Sequence, residues 1–380
     1  MKIVMAPDSF KGTLSAVHAA SIMRNSFQKV LKDSEFIELP MADGGEGTLD
    51  ALLYATKGKR LQLNLMRPDG VTAEAHTGVL GDERTAVIET AAIAGLNLIP
   101  KEKRNPILAT SYGVGEAIKA MLDQGYRTFL IGLGGSATND GGMGMLQALG
   151  AQFFNSSGTQ LVPGVCSVIQ AAKVTLAELD VRLNDCTFII ANDVQNPLCG
   201  PNGATAVFGP QKGVTKDDIT TIDEGMNRYS TLLEKAFNVS VKELPGAGAA
   251  GGLGFALLCL GGKMKLGAHV VGQAVKLSEA LIGADLVITG EGQSDRQTLF
   301  GKVPFYIAEM AKEKGIPCIL LSGALGDGWQ ELLSYFDGCF STVHKPEDLE
   351  ECLSRAELNL HHQSLNLANF ILKNKEWKRS

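Results

Sequence analysis

The chain has 380 residues, more than one ordinary domain holds, so two domains are expected. Its 45% hydrophobic and 20% charged residues describe a water-soluble globular protein with apolar material for real cores. A net charge of −6 argues against a nucleic acid partner, which calls for a basic stripe, and 44 glycines point to many tight backbone turns.

The chain opens with a β-α unit: an apolar strand over Lys2–Ala6, a loop Pro7-Asp-Ser-Phe-Lys-Gly-Thr13, and an amphipathic helix over Ser15–Leu31 capped by Thr13 or Ser15. A strand over Glu35–Pro40 leads to the Asp43 loop and a helix through Ala55. Arg60–Met66, Ala73–Leu80 and Thr85–Glu89 are strand-like and spaced as antiparallel neighbours, with turns at Pro68-Asp-Gly70 and Gly81-Asp82. A helix over Ser111–Gln124 and a buried strand from Thr128 precede a long irregular region to about Gly213. Then come a helix near Asp218–Phe237 and a glycine-rich stretch after Pro245. Short buried strands recur at Asp285–Gly290, Pro317–Ser322 and Gly338–Thr342, separated by helical stretches at Val303–Lys314 and Trp329–Tyr335. A polar helix runs from Ala356 to Ser380.

Alternating strands and helices at both ends of the chain imply a parallel sheet covered on both faces. The expected fold is α/β. A discontinuous parallel-sheet domain, residues 1–60 and 285–380, carries a larger inserted α/β domain of mixed sheet, residues 61–284. Ligands bind beyond the carboxyl ends of parallel strands. Asp8, Asp43 and Glu291 each fall just past one and are expected to share a crevice.

Seven scattered cysteines without a CxxC pair read as reduced, mostly buried thiols, neither a disulfide framework nor a zinc site. The start, Met1-Lys-Ile-Val-Met-Ala-Pro7, lacks a signal peptide. The longest uncharged stretch, Gly246 to Gly262, is too short and glycine-rich to span a bilayer. A cytoplasmic protein with no membrane partner is expected.

The segment Thr128-Phe-Leu-Ile-Gly-Leu-Gly-Gly-Ser-Ala-Thr-Asn-Asp-Gly-Gly-Met-Gly144 carries the most chemistry. A buried strand runs into a loop of glycine, serine, threonine and asparagine, a source of N–H and hydroxyl donors for phosphate. Ala42-Asp-Gly-Gly-Glu-Gly-Thr48 and Thr289-Gly-Glu-Gly-Gln-Ser-Asp-Arg-Gln-Thr298 repeat the idea with carboxylates. Glycine beside acid suits phosphate together with a divalent cation. Gly132-Leu-Gly-Gly-Ser-Ala137 fits the dinucleotide fingerprint, but no acid follows before Glu178 to hold a ribose, so a dehydrogenase is disfavoured. Gly301-Lys302 is followed by Val303, and Arg296 stands where a Walker A motif needs glycine. Gly246-Ala-Gly-Ala249 lacks the aspartate of a ribokinase-type turn. The 7–13 loop groups an acid, hydroxyls and Lys11; Asn192-Asp-Val194 follows a strand end, where Asp193 could position a hydroxyl or a metal, or the segment could be a plain Asx-turn. Phe208-Gly-Pro-Gln-Lys-Gly213 adds a glycine-flanked lysine.

Together Lys2-Ile-Val-Met-Ala-Pro-Asp-Ser-Phe-Lys-Gly-Thr13, Met41-Ala-Asp-Gly-Gly-Glu-Gly-Thr48, Gly132 to Gly142, Asn192-Asp-Val-Gln-Asn-Pro-Leu198 and Thr289 to Thr298 with Gly301-Lys302 closely resemble the bacterial type I glycerate kinase family, in that family's order across the chain. The resemblance implies a flavodoxin-like domain with a second α/β domain, and ATP- and Mg²⁺-dependent phosphorylation of D-glycerate. It favours the 2-hydroxyl; the 3-hydroxyl, and a non-catalytic sensor of an anionic metabolite, are the alternatives, with a homodimer as an open assembly state.

On that reading the loop holds ATP phosphates through Gly134, Gly135, Ser136, Thr138, Asn139 and Gly141. Ser9, Lys11, Arg296 and Lys302 face the substrate, and Lys11 also serves catalysis. An aspartate orients and deprotonates the hydroxyl, Asp193 first and Asp8 second. Asp43, Glu46, Glu291 and Asp295 are the metal candidates, of which only some need bind directly, since Mg²⁺ takes one or two carboxylates plus phosphate.

Overall fold

Apolar runs of four or five residues at both ends of the chain do form one parallel sheet. In the computed structural model, which describes residues 1–374, its strands lie in the order Gly338–Ser341, Cys318–Ser322, Leu286–Thr289, Lys2–Met5, Glu35–Glu38. The continuation of the last helix over 375–380 lies outside the described residues. Lys2–Met5 pairs with Leu286–Thr289 on one side (Ile3 opposite Leu286) and with Glu35–Glu38 on the other, all parallel. Leu286–Thr289 is buried throughout, as a strand covered on both faces must be. The chain therefore builds outward in one direction, then returns to build the other side. The switch point falls between Lys2–Met5 and Leu286–Thr289, where a doubly wound sheet opens its crevice.

This sheet belongs to one of two units, comprising Met1–Asp43, Asp50–Lys57 and the chain from Ala268 onward. Its helix Ala16–Val30 starts at Ser15, whose hydroxyl accepts the His18 N–H at 3.1 Å; Thr13 instead donates to the Phe10 carbonyl. The helix buries Ala19, Met23 and Phe27 in a core shared with Ile3, Ile288 and Leu367.

The other unit, Gly44–Leu49 with Gly58–Gly267, is built on a six-stranded mixed sheet. Lys263–Lys265, Thr187–Ala191, Thr128–Gly132 and Thr85–Glu89 run parallel; Thr72–Val79 and Lys59–Met66 complete it as an antiparallel meander. Phe129 and Phe188 stack between adjacent strands, ring centres 5.1 Å apart. The helix Lys216–Phe237 is capped by Thr215 and buries Met226, Tyr229 and Leu233.

Two expectations change. The region to Gly213 is not simply irregular: it holds the hairpin Gln152–Phe154 with Lys173–Thr175 and the short helices Met143–Ala148, Val165–Gln170 and Ala204–Phe208. Elements of three to six residues complete too little of a period to show in a sequence. Trp329–Ser334 is a 3₁₀ turn, a length at which a helical nucleus is marginal. Among the described residues no helix is long and apolar enough to cross a membrane, and all seven cysteines are free.

Phe27, with no exposed surface, is the largest side chain between its helix and the parallel sheet. Phe27→Ala is expected to cost about 3–5 kcal/mol in urea denaturation. A loss below about 1 kcal/mol would show that this core collapses around the vacancy.

Candidate active site

The 132–142 loop is held by main chain on both sides. Gly134 N–H donates to the Gly44 carbonyl at 3.1 Å, and Leu133 N–H to that of Ala191 at 3.2 Å. A Cβ on Gly132 would lie 2.5 Å from the Gly44 oxygen, so the approach requires glycine. At the other end Gly141 N–H donates to the Gly251 carbonyl at 2.9 Å. Gly251 sits at φ +66°, and a Cβ there would meet the Thr138 oxygen at 2.0 Å. The glycine-rich stretch after Pro245 is thus a clamp on the loop.

Three buried charged groups fix this arrangement. Asp140 accepts from Ser111 N–H (2.8 Å), Ser111 Oγ (2.9 Å), Gly142 N–H and Gly144 N–H (both 3.2 Å). Burial nevertheless pushes its carboxyl up, against the pull of those donors. Glu89, at the end of Thr85–Glu89, accepts the N–H groups of Gly47 (3.2 Å) and Leu49 (2.8 Å) and so secures the 44–49 segment. Lys212 donates to Ser136 Oγ at 2.9 Å and to the Thr138 carbonyl at 2.6 Å. Its side chain is buried, which pushes the ammonium down to about 7, with Asp140 opposing.

In the parallel-sheet unit, Asp8, Lys11, Asp43, Glu291 and Lys302 gather past the strand ends. Lys11 Nζ stands 3.2 Å from Asp43 Oδ2 and Lys302 Nζ 3.3 Å from Glu291 Oε2. Glu291 also accepts from Ser294 Oγ (2.9 Å) and Thr298 Oγ1 (2.7 Å). Asp8 is the odd carboxylate. Burial first, then the negative charge of Asp43, raise it well above the usual range, although Ser9 N–H and Lys11 pull it down. Asp43 in turn raises the Lys11 ammonium. Lysines paired with carboxylates beside a carboxyl tuned upward are groups that could handle an anion and a proton together.

A profile described as the glycerate kinase family matches residues 3–372. The chain belongs to that family. It is 41% identical over 373 residues to a glycerate kinase of Haemophilus influenzae, covering 98% of this chain and 99% of the relative. It is 42% identical over 370 residues to a glycerate 2-kinase of Escherichia coli K12, covering 97% of each. A crystal structure from Salmonella typhimurium LT2, provisionally assigned as glycerate kinase 2, superposes with a TM-score of 0.88 at 41% identity and 99% coverage of both chains. The protein is thus a kinase, and its α/β architecture is that of the family.

Within this glycerate kinase family member the site residues read from sequence part company. Gly135 is exposed and Ser136 lies against Lys212, but Thr138, Asn139 and Gly141 face inward. Asn139 donates to Thr205 Oγ1 at 3.0 Å, and its own Oδ1 is buried without a partner among the described residues. Asp193 accepts the Gly267 N–H at 2.7 Å, while the Asx-turn is made by its neighbour Asn192. Arg296 lies on Glu331 at the surface, and Asp295 caps the turn Arg296–Leu299. Glu46 is exposed and belongs to the mixed-sheet unit, whereas Asp43, Glu291 and Asp295 belong to the parallel-sheet unit. Among the described residues no three His, Cys, Asp or Glu side chains could hold a metal by themselves.

Glu89, Asp140 and Lys212 were not singled out as site residues by sequence. Each stands at a strand end or inside a glycine-flanked loop, the one signal that could have marked them.

Asp8 gives a stability test. Its folded-state pKa is raised, so its contribution is fully present below the ordinary value of 3.8 and is lost as pH rises through the folded value. Asp8→Asn is therefore expected to raise the melting temperature at pH 7 by a few degrees and to leave it unchanged near pH 3. A lower melting temperature at pH 7 would mean that the carboxylate stabilises the fold.

Proposed function

We propose that the chain transfers the γ-phosphoryl group of ATP to the 2-hydroxyl of D-glycerate. The observation that carries the nucleotide part is the buried Lys212 donating to both Ser136 and the Thr138 carbonyl, which places a latent cation under a loop of N–H donors. The likeness to the Escherichia coli glycerate 2-kinase supports the substrate and the hydroxyl. The donors assigned to the phosphates are the exposed Gly135 and the Ser136 hydroxyl beside Lys212; Gly134, whose N–H is given to Gly44, lines the approach. Lys11 and Lys302 hold the acid's carboxylate or the transferring group, with Ser9 beside them. Asp8 suits the removal of the hydroxyl proton because its affinity for a proton is raised. Asp193 remains a second candidate, positioned by Gly267.

The carboxylates fit Mg²⁺. Asp8, Asp43 and Glu291 outnumber Lys11 and Lys302, all their donors are oxygen, and the charge of Asp43 adds to burial in raising Asp8. Asp43 and Glu291 would hold the ion in company with nucleotide phosphate, and the bound metal would supply neutralisation of the phosphoryl oxygens.

An ADP-release assay with D-glycerate tests the reading. Turnover is expected with Mg²⁺, to vanish in EDTA, and to give a ³¹P NMR spectrum of 2-phosphoglycerate. A spectrum of 3-phosphoglycerate would overturn the hydroxyl assignment. Asp8→Asn is expected to lower kcat by about a hundredfold or more. A loss under about tenfold there, with a large loss in Asp193→Asn, would transfer the role to Asp193.

Lys212 predicts a pH limb. Above about 7 its ammonium is neutral in the free protein, and a polyanion bound at the loop draws the proton back. Nucleotide binding at pH 8 is expected to take up protons, measured by calorimetry in buffers of different ionisation heat. Lys212→Met should abolish that uptake. Equal uptake in the variant would place the titrating group elsewhere.

A further inference from the structure

A cavity of about 480 Å³ opens at the switch point of the parallel sheet, within that unit alone. Its lining includes Ser9, Lys11, Glu291 and Lys302, the residues already given to the transferring group and the acid. A three-carbon acid would occupy a small part of that volume, and pockets of this size take ligands several times larger. Other lining residues are different in kind. Phe10, Val343, Leu349 and Leu353 supply apolar wall, and Leu349 and Leu353 are 73% and 45% exposed.

Two buried polar groups line the same cavity. Asn359, from the helix Ala356–Lys373, is 5% exposed, and Thr342, just past the strand Gly338–Ser341, is 3% exposed. Neither side chain forms a hydrogen bond among the described residues, and neither is among the fully sealed unpartnered groups, so their polar atoms open on the cavity. An amide held at a cavity wall without a protein partner is left for a ligand or water to complete. An amide on an apolar slot is also specific: its oxygen accepts and its NH₂ donates, which matches the N6 amino group and N7 of adenine. Guanine presents two acceptors on that edge and would leave the Asn359 oxygen unmet.

We infer that this cavity binds the adenine nucleoside end of the phosphoryl donor, with Asn359 reading the base and Leu349 and Leu353 covering it. The inference rests on the proposed nucleotide-dependent reaction and adds where its base is recognised. Asn359→Leu is expected to raise KM for ATP about tenfold or more, to leave KM for D-glycerate within about twofold, and to erase the preference for ATP over GTP. Wild-type protein gives a second readout that needs no variant: adenosine should compete with ATP, and guanosine should not. Unchanged KM for ATP and unchanged base preference in Asn359→Leu, with turnover intact, would overturn the pocket and leave the kinase reading standing. Adenosine that fails to compete would do the same. No turnover with any nucleoside triphosphate would instead remove the reading on which the pocket rests.

Discussion

Main chain packed directly on main chain is the constraint from which the mixed-sheet unit's site follows. Gly132 touches Gly44, Gly251 touches Thr138, and no side chain fits at either contact. Backbone packed this closely has its N–H and carbonyl groups committed: Gly134 to Gly44, Leu133 to Ala191, Gly141 to Gly251. What is left over is a short exposed arc around Gly135, whose donors are not consumed inside. A rigid frame with a few unspent donors is how a loop can hold an anion without first having to order itself. The glycines serve the frame as much as the ligand. Glycines in a phosphate loop are readily read as room for the phosphate, yet here several are room for one another.

The charged groups extend the same logic. Asp140 and Glu89 are spent on N–H groups, Asp140 buried with four donors and Glu89 buried with at least two. They are anchors, and their burial is tolerable because hydrogen bonds replace water. Asp8 and Lys212 are the opposite case. Burial raises the one and lowers the other, so in both it favours the neutral form. Groups poised in this way respond to whatever charge arrives, which anchors cannot do. The distinction between anchor and responder separates Asp140 from Asp8 more cleanly than sequence position does.

Much of the fold was legible because its signals are local. Lys2–Met5, Leu286–Thr289 and Cys318–Ser322 are apolar runs bounded by loop residues, and the antiparallel meander shows turn chemistry at Pro68-Asp-Gly70. The hairpin of Gln152–Phe154 and Lys173–Thr175 was missed since three residues carry no period. The site was legible as strings and not as faces. Ser136 and Asn139 stand three positions apart in the same polar loop, yet one meets Lys212 and the other is sealed against Thr205. Those partners lie far along the chain, so nothing in the local string distinguishes the two. Asn359 is the extreme case: it sits on a helix that reads as polar and solvated, and only the fold shows that its amide faces a cavity.

The two kinds of lysine suggest why the chain uses both. Lys11 is largely exposed and charged, with Asp43 holding its proton, so it can attract an anion at any ordinary pH. Lys212 is buried and poised, so it contributes little at a distance and would contribute most to an anion held directly against the loop. An exposed lysine favours capture; a buried one favours the bound state in which charge is concentrated. Catalysis gains only from interactions that strengthen as the reaction proceeds. On that ground the buried lysine, unremarkable in the sequence as one more glycine-flanked residue, would have the better physical claim to a part in the proposed transfer, and Lys11 would suit capture.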